Sequence, residues 1–389
     1  MSKLQDLINR LCPNGVPFKS LDELAILSRG KVYSKDFLRD NPGTFPVYSS
    51  QTANDGILGR IDSYDYEGEY LTWTTDGAYA GTIFYRNGKF SITNVCGLIK
   101  LKSKAVKLKF LYYWLSIEAP KHVYSGMGNP KLMSNQISAI SVPVPPIEIQ
   151  EEIVKILDRF AEYAAELQAE LQARKEQYEY YRNHLLTFNP SASYDEPTLT
   201  TWGGHSYKIA WKPMGEVCKN LDKMRKPITA SKRKAGSYPY YGASGIVDYV
   251  DSYIFDGDFL LISEDGANLL ARSTAIAFPI SGKNWVNNHA HVLKFENLFT
   301  QKFVQYYINM IDVSKYVSGG AQPKLNQENL NSILIPIPPL ELQEKIVAIL
   351  DRFETLVNDL TQGLPAEIAA VREQYEYYRN KLLTFKQLA

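Results

Sequence analysis

The chain has 389 residues, 45% hydrophobic and 22% charged, with a formal net charge of +1 at pH 7; that is enough apolar material for two or three domain cores. No apolar run approaches the roughly 20 residues a membrane span needs, and residues 1–10 lack the apolar stretch of a secretory signal, so a cytoplasmic location is expected. Cys12, Cys96 and Cys218 are too scattered for a disulfide framework or a CxxC zinc site and read as reduced and inert.

Residues 15–144 predict short strands between Gly, Asn and Asp turns, at 45–49, 68–74, 81–85 and 97–101. A helix over about 106–117 follows, with Leu108, Leu111, Tyr112 and Leu115 on one face. From Ile149 the apolar positions Ile153, Ile156, Phe160, Tyr163 and Leu167 repeat in the alternating fours and threes of a coiled-coil seam. Within that helix Ala165-Glu166-Leu167-Gln168 is repeated at once as Ala169-Glu170-Leu171-Gln172, a unit of about one helical turn that lengthens a rod by roughly 6 Å. The helix ends in an aromatic box, Tyr178, Tyr180, Tyr181 and Arg182.

The same order then recurs. Strands are predicted at 238–241, 257–262, 274–278 and 291–295 and a helix near 301–311, followed by a second seam, Leu342, Ile346, Ile349, Phe353, Leu356 and Leu360. The opening Pro145-Pro146, Gln150-Glu151 and Asp158-Arg159-Phe160 return as Pro338-Pro339, Gln343-Glu344 and Asp351-Arg352-Phe353. The box returns as Tyr375, Tyr377, Tyr378 and Arg379. Where the first copy carries its tandem unit, the second has Gly363-Leu364-Pro365, which predicts a helix end or kink. Two like seams predict two helices paired antiparallel between two divergent domains, with boundaries at 1–145, 146–190, 191–338 and 339–389.

Charge divides along those boundaries. Residues 1–145 carry 17 basic against 12 acidic groups and 191–338 carry 15 against 13, whereas 146–190 carry 5 against 9 and 339–389 carry 6 against 8. Basic heads on acidic helices suit polyanion binding by the heads and a different partner for the helices. Tyr178 and Tyr181 continue the seam, while Tyr180 and Arg182, with Tyr377 and Arg379, face elsewhere and are candidate partner contacts.

Three landmarks survive between the divergent domains: Pro46-Val47-Tyr48 with Pro239-Tyr240-Tyr241, Asp76-Gly77-Ala78 with Asp265-Gly266-Ala267, and Pro130-Lys131-Leu132 with Pro323-Lys324-Leu325. Gly-rich stretches at 125–128 and 318–320 precede the last pair, so Lys131 and Lys324 either meet phosphates or sit in ordinary loops leading to the helices. The candidate polyanion contacts are Tyr48, Ser49, Ser50, Gln51, Thr52 and Lys131 in the first domain, and Arg225, Lys226, Lys232, Arg233, Tyr241, Gly242, Ala243, Ser244 and Lys324 in the second. Lys223, Arg225, Lys226, Lys232, Arg233 and Lys234 form a dense basic loop before the 238–241 strand. His289 and His291 alternate on one strand face, but neither Cys nor a carboxylate cluster completes a metal site, so none is expected.

This combination resembles the specificity subunit of type I restriction-modification enzymes over essentially the whole chain. It is nearest the subgroup in which a duplicated Thr-Ala-Glu-Leu-like unit sets half-site spacing, with Ala-Glu-Leu-Gln in that place here. The resemblance implies an α+β protein in which two mixed α/β target-recognition domains are separated by two long antiparallel coiled-coil helices under an internal pseudo-twofold. It also implies a non-catalytic chain that reads a bipartite double-stranded DNA site with a fixed gap. Two methyltransferase subunits and the restriction subunits would then methylate adenine or cleave, and S-adenosylmethionine, ATP and Mg would bind those partners rather than this chain. The residues agree: the sequence lacks an Asn-Pro-Pro-Tyr-like methyltransferase motif, a GxGxxG loop and a GxxxxGK[ST] loop. A catalytic nuclease is opposed by the missing metal ligands, and a coiled-coil scaffold with carbohydrate- or protein-binding heads would show no salt-sensitive DNA binding.

Overall fold

The computed structural model describes residues 3–125, 128–189, 196–319 and 322–388. It forms two compact units, Met1–Gln168 with Glu367–Ala389, and Ala169–Ala366. The organising helices are α1 (Leu108–Glu118), α2 (Ile147–Leu186), α3 (Leu298–Met310), α4 (Leu340–Asn358) and α5 (Leu364–Leu382). Among the described residues no helix is long and apolar enough to cross a membrane.

The first unit is built on a six-stranded sheet, ordered Ala25–Arg29, Cys96–Leu101, Tyr66–Thr74, Ile83–Ile92, Pro42–Tyr48 and Ile57–Ile61. Its neighbours are antiparallel except where Pro42–Tyr48 runs parallel to Ile83–Ile92. The second unit repeats this plan, including the parallel pairing of Ala235–Gly242 with Lys283–Val286. It differs at one point: the strand matching Ile83–Ile92 is broken into Ala277–Ile280 and Lys283–Val286, which lie in separate four-stranded sheets. Ser281-Gly282 makes the break, Gly282 having a φ of +72° that few other residues adopt.

The repeated Pro-Pro-x-x-x-Gln element has a mechanical cause. Gln150, fully buried, donates to the carbonyls of Pro145 (2.7 Å) and Ala105 (2.8 Å) and accepts from the Lys107 amide (2.8 Å); Gln343 donates likewise to Pro338 (2.7 Å). Each glutamine thus satisfies backbone groups where the chain turns into its long helix. Asp158 then ties α2 to α1, accepting from Tyr113 Oη (2.7 Å) and Lys109 Nζ (2.6 Å), and Asp351 repeats this between α4 and α3 with Tyr306 (2.7 Å) and Lys302.

The seams divide their labour. In the first unit Ile149, Ile153 and Leu157, an i, i+4 row, enter the domain core, leaving Ile156 half-buried. Beyond them helix meets helix: Phe160 stacks on Tyr378 (5.6 Å, 25°) and Tyr163 Oη bonds Glu367 (2.6 Å), so α2 and α5 run antiparallel there. In the second unit Leu342, Ile346, Val347 and Leu350 enter the core with Leu185 and Leu186, and Phe353 stacks on Tyr181 (5.6 Å, 26°). The expected uniform heptad is therefore corrected. Each helix spends its first turns closing its own domain, which needs a denser row than a two-helix seam. Leu360, placed on the seam by spacing, is exposed because α4 ends at Asn358. Gly363 follows, where a Cβ would lie 2.3 Å from the Thr355 carbonyl oxygen, and Pro365 sits in the first turn of α5, where its missing N–H costs nothing.

Candidate nucleic-acid interface

In the first unit four chain crossings meet at one end of the sheet. The Thr93 amide bonds the Tyr48 carbonyl (2.8 Å), Ser50 Oγ bonds the Val95 carbonyl, and the Thr75 amide bonds Ser50 Oγ (3.1 Å). Asp76 accepts from Ser50 and Thr75, the Gly77 amide bonds Pro130 O (3.0 Å), and the Leu132 amide bonds Thr75 O (2.9 Å). The second unit joins the same crossings: Asn287 amide to Tyr241 O (3.0 Å), Glu264 amide to His289 O (2.9 Å), Gly266 amide to Pro323 O (3.1 Å) and Leu325 amide to Glu264 O (2.7 Å), with Ser263 Oγ to Ala243 O (2.5 Å) in place of the Ser50 hydroxyl. All three sequence landmarks are thereby gathered in each unit. A fourth crossing, residues 93–95 and 287–289, was missed; its only mark is an Asn, Asn94 or Asn288, just before the next strand. The Gly-rich stretches fall partly outside the described residues, at 126, 127 and 320.

Candidate side chains behave differently within this frame. Lys131 is exposed and among the described residues pairs with no carboxylate, and Lys226, Lys232 and Ser244 are also exposed. Tyr241 and Ala243 are half-buried and Gly242 is buried. Tyr48 lies beneath the buried Arg86 guanidinium (3.6 Å), which Asp55 holds at 2.6 Å, and Gln51 turns back to the Ile57 carbonyl. Both support the loop, leaving Ser49, Ser50 and Thr52 half-buried around it.

Arg225 and Arg233 require correction. Arg225 is 12% exposed; its Nη1 lies 2.6 Å from Glu264 and 2.8 Å from the Ala290 carbonyl, and Nη2 3.4 Å from Asp222. Arg233 donates to the Ile228 carbonyl (3.1 Å) and Asp248 (3.2 Å) and covers the Tyr240 ring (4.5 Å). Both guanidiniums are committed inside the domain, Arg225 between the nearby Asp222 and the distant Glu264 and Arg233 against Asp248.

The same cluster revises the reading of His291. Asp222, Glu264 and His291 do converge, so a carboxylate pair accompanies the histidine after all. Arg225 and Lys324 (3.1 Å from Glu264) already balance it, and both ring nitrogens are used, Nδ1 with Asp222 (2.6 Å) and Nε2 with the Leu325 carbonyl (2.7 Å). These pairings account for the cluster without an ion. Burial alone would raise the Asp222 and Glu264 carboxyls. Together, the His291 bond, the Val292 amide and the nearby His291 and Arg225 groups on Asp222, and the Arg225 and Lys324 bonds with the same neighbours on Glu264, outweigh it and hold both below the usual range. In the first unit the matching carbonyl, Leu132 O, is met instead by Trp73 Nε1 (3.0 Å), whose ring occupies the space over Gly97. The same anchor is thus made from neighbouring strands by different residues. Burial also pushes the Cys96 and Cys218 thiols up to about 12, keeping them unreactive.

On the helices Tyr180 and Tyr377 stand 65% and 58% exposed, whereas Arg182 and Arg379 lie over the Tyr178 and Tyr375 rings (5.7 and 5.3 Å).

The type I restriction modification DNA specificity domain matches residues 13–177 and 209–370. A putative type I specificity subunit of Mycoplasma pneumoniae is 32% identical over 365 residues, 93% of this chain and 96% of that one. The MpnII type I restriction enzyme specificity subunit of the same organism is 43% identical over 190 residues, 47% of this chain and 57% of that protein. In fold, the S subunit of a type I restriction-modification system from M. genitalium superposes with a TM-score of 0.59 at 16% identity, covering 95% of this chain and 96% of that one. A chain from a type I restriction-modification complex gives 0.60, also at 16% identity, over 95% and 98%. The chain belongs to the type I restriction-modification specificity family and carries two copies of its DNA specificity domain. It is a non-catalytic subunit for sequence-specific DNA recognition in a restriction-modification complex, whose methyltransferase and nuclease activities reside in other subunits.

Proposed function

We propose that the four-crossing end of each domain, 1–145 and 191–338, reads one half of a bipartite DNA site with a fixed gap. The repeated helices, 146–190 and 339–389, present Tyr180 and Tyr377 to two methyltransferase subunits in the cytoplasm, with restriction subunits joining for cleavage. S-adenosylmethionine, ATP and Mg act on those partners. The observation that carries this reading is the recurrence of one hydrogen-bonded frame with a lysine, Lys131 or Lys324, at the same place in both units. In the first domain Ser49, Thr52, Asn94 and Lys131 face the DNA; in the second, Lys226, Lys232, Ser244 and Asn288 do, with Lys324 beside them over Glu264. Methylome mapping of a host expressing the complex tests it: two half-sequences separated by a constant gap are expected, and a single continuous motif would overturn it.

Lys131 supplies a sharper test, because it is free of internal ion pairs among the described residues. Lys131→Ala in the assembled complex should weaken binding on all sequences alike and reduce the slope of log K against log salt by about one unit, as loss of one phosphate contact does. An unchanged slope would return Lys131 to plain surface.

A further inference from the structure

Resting on the reading above, we infer that His289 is a specificity-determining residue that reads one base pair of the second half-site. Its ring is half exposed at the rim of a cleft of about 610 Å³ lined by Gly242, Ser244, Asn287 and Asn288. Nδ1 lies 2.8 and 3.0 Å from the two Asp265 oxygens, so the proton sits on that side and Nε2 is left for a ligand. The backbones that carry the ring and its carboxylate are both pinned. The His289 amide bonds Asn287 Oδ1 (2.8 Å), and the Asp265 backbone is bridged to Lys324. Such a preorganised side chain keeps the geometry that base discrimination requires.

Charge separates a base from a phosphate. The His289–Asp265 pair offers no net positive charge, because the carboxylate lies against the ring. It therefore suits an uncharged base edge better than a phosphate, for which Lys226 and Lys232 are available. Among the described residues, the equivalent place in the first domain has no such pair. Val95 stands where His289 does, and Asp76 is occupied by Ser50 and Thr75. Two domains that read different half-sequences should differ at a base-reading position of this kind.

The test uses the full chain assembled with its methyltransferase subunits, the methylome motif, and competition by duplexes changed one base pair at a time. His289→Ala is expected to lose roughly tenfold discrimination at one position of the second half-site, with the other positions and the whole first half-site unchanged. His289→Gln, which keeps a polar tip, should retain or re-specify that same position. Discrimination unaltered by both variants, or lost evenly across the second half-site as for a loop support, would overturn the inference. A wild-type complex without a second half-sequence would instead overturn the parent reading and this one with it.

Discussion

A variant with one further Ala-Glu-Leu-Gln after Gln172 is expected to methylate the same two half-sequences across a gap longer by about one or two base pairs. The insertion adds roughly 6 Å of helix, at most about two base steps of 3.4 Å, and less if the rod lies oblique to the duplex. Both existing copies lie within α2 and each contributes one buried leucine, Leu167 or Leu171, so a further copy extends a pattern the helix already tolerates. A four-residue step turns the face by only about 40°. Neither recognition domain is touched, which is why the half-sequences should stay. Methylome mapping checks both parts: an unchanged gap, or altered half-sequences, would remove the tandem unit from the role of spacer.

Arg225→Ala is expected to destabilise the second unit by roughly 3–5 kcal/mol, the cost of breaking a buried ion pair from one side. Asp222 and Glu264 would keep their burial and lose the guanidinium between them. Hydrogen exchange in Phe259–Ser263 and Ala290–Lys294 resolves this from the first unit, where no comparable change should appear. Were Arg225 a phosphate ligand, exchange would be unaltered and the salt slope would fall instead. The same cluster sets a pH dependence. Both carboxyls are held below their ordinary values of 3.8 and 4.5, so their stabilisation is complete above that range and is lost as pH falls through the lowered folded-state values. The second unit of the wild type should therefore loosen on acidification below about pH 4, and the variant should show a weaker dependence.

The duplicated and local signals were legible in the chain itself. The offset repeats set the order of domains and helices, because a duplicated segment meeting the same neighbours folds the same way. Gly363 and Pro365 marked the helix break, since both act on backbone geometry within one turn. The landmarks around Tyr48, Asp76 and Lys131 identified three of the four crossings at the candidate interface.

Tertiary structure alone decided which charges are free. Arg225 and Lys226 are adjacent in sequence, yet one lies almost wholly covered between Asp222 and Glu264 and the other is exposed. It also decided that Leu157 rather than Ile156 is fully buried, because a helix closing a domain follows a different row from one pairing with a helix. And it joined His291 to Asp222, 69 residues away, and Trp73 to Leu132, 59 away, around equivalent carbonyls. Local sequence carries backbone preference and periodicity; which donor meets which acceptor depends on the packing of distant strands, and no short pattern encodes it.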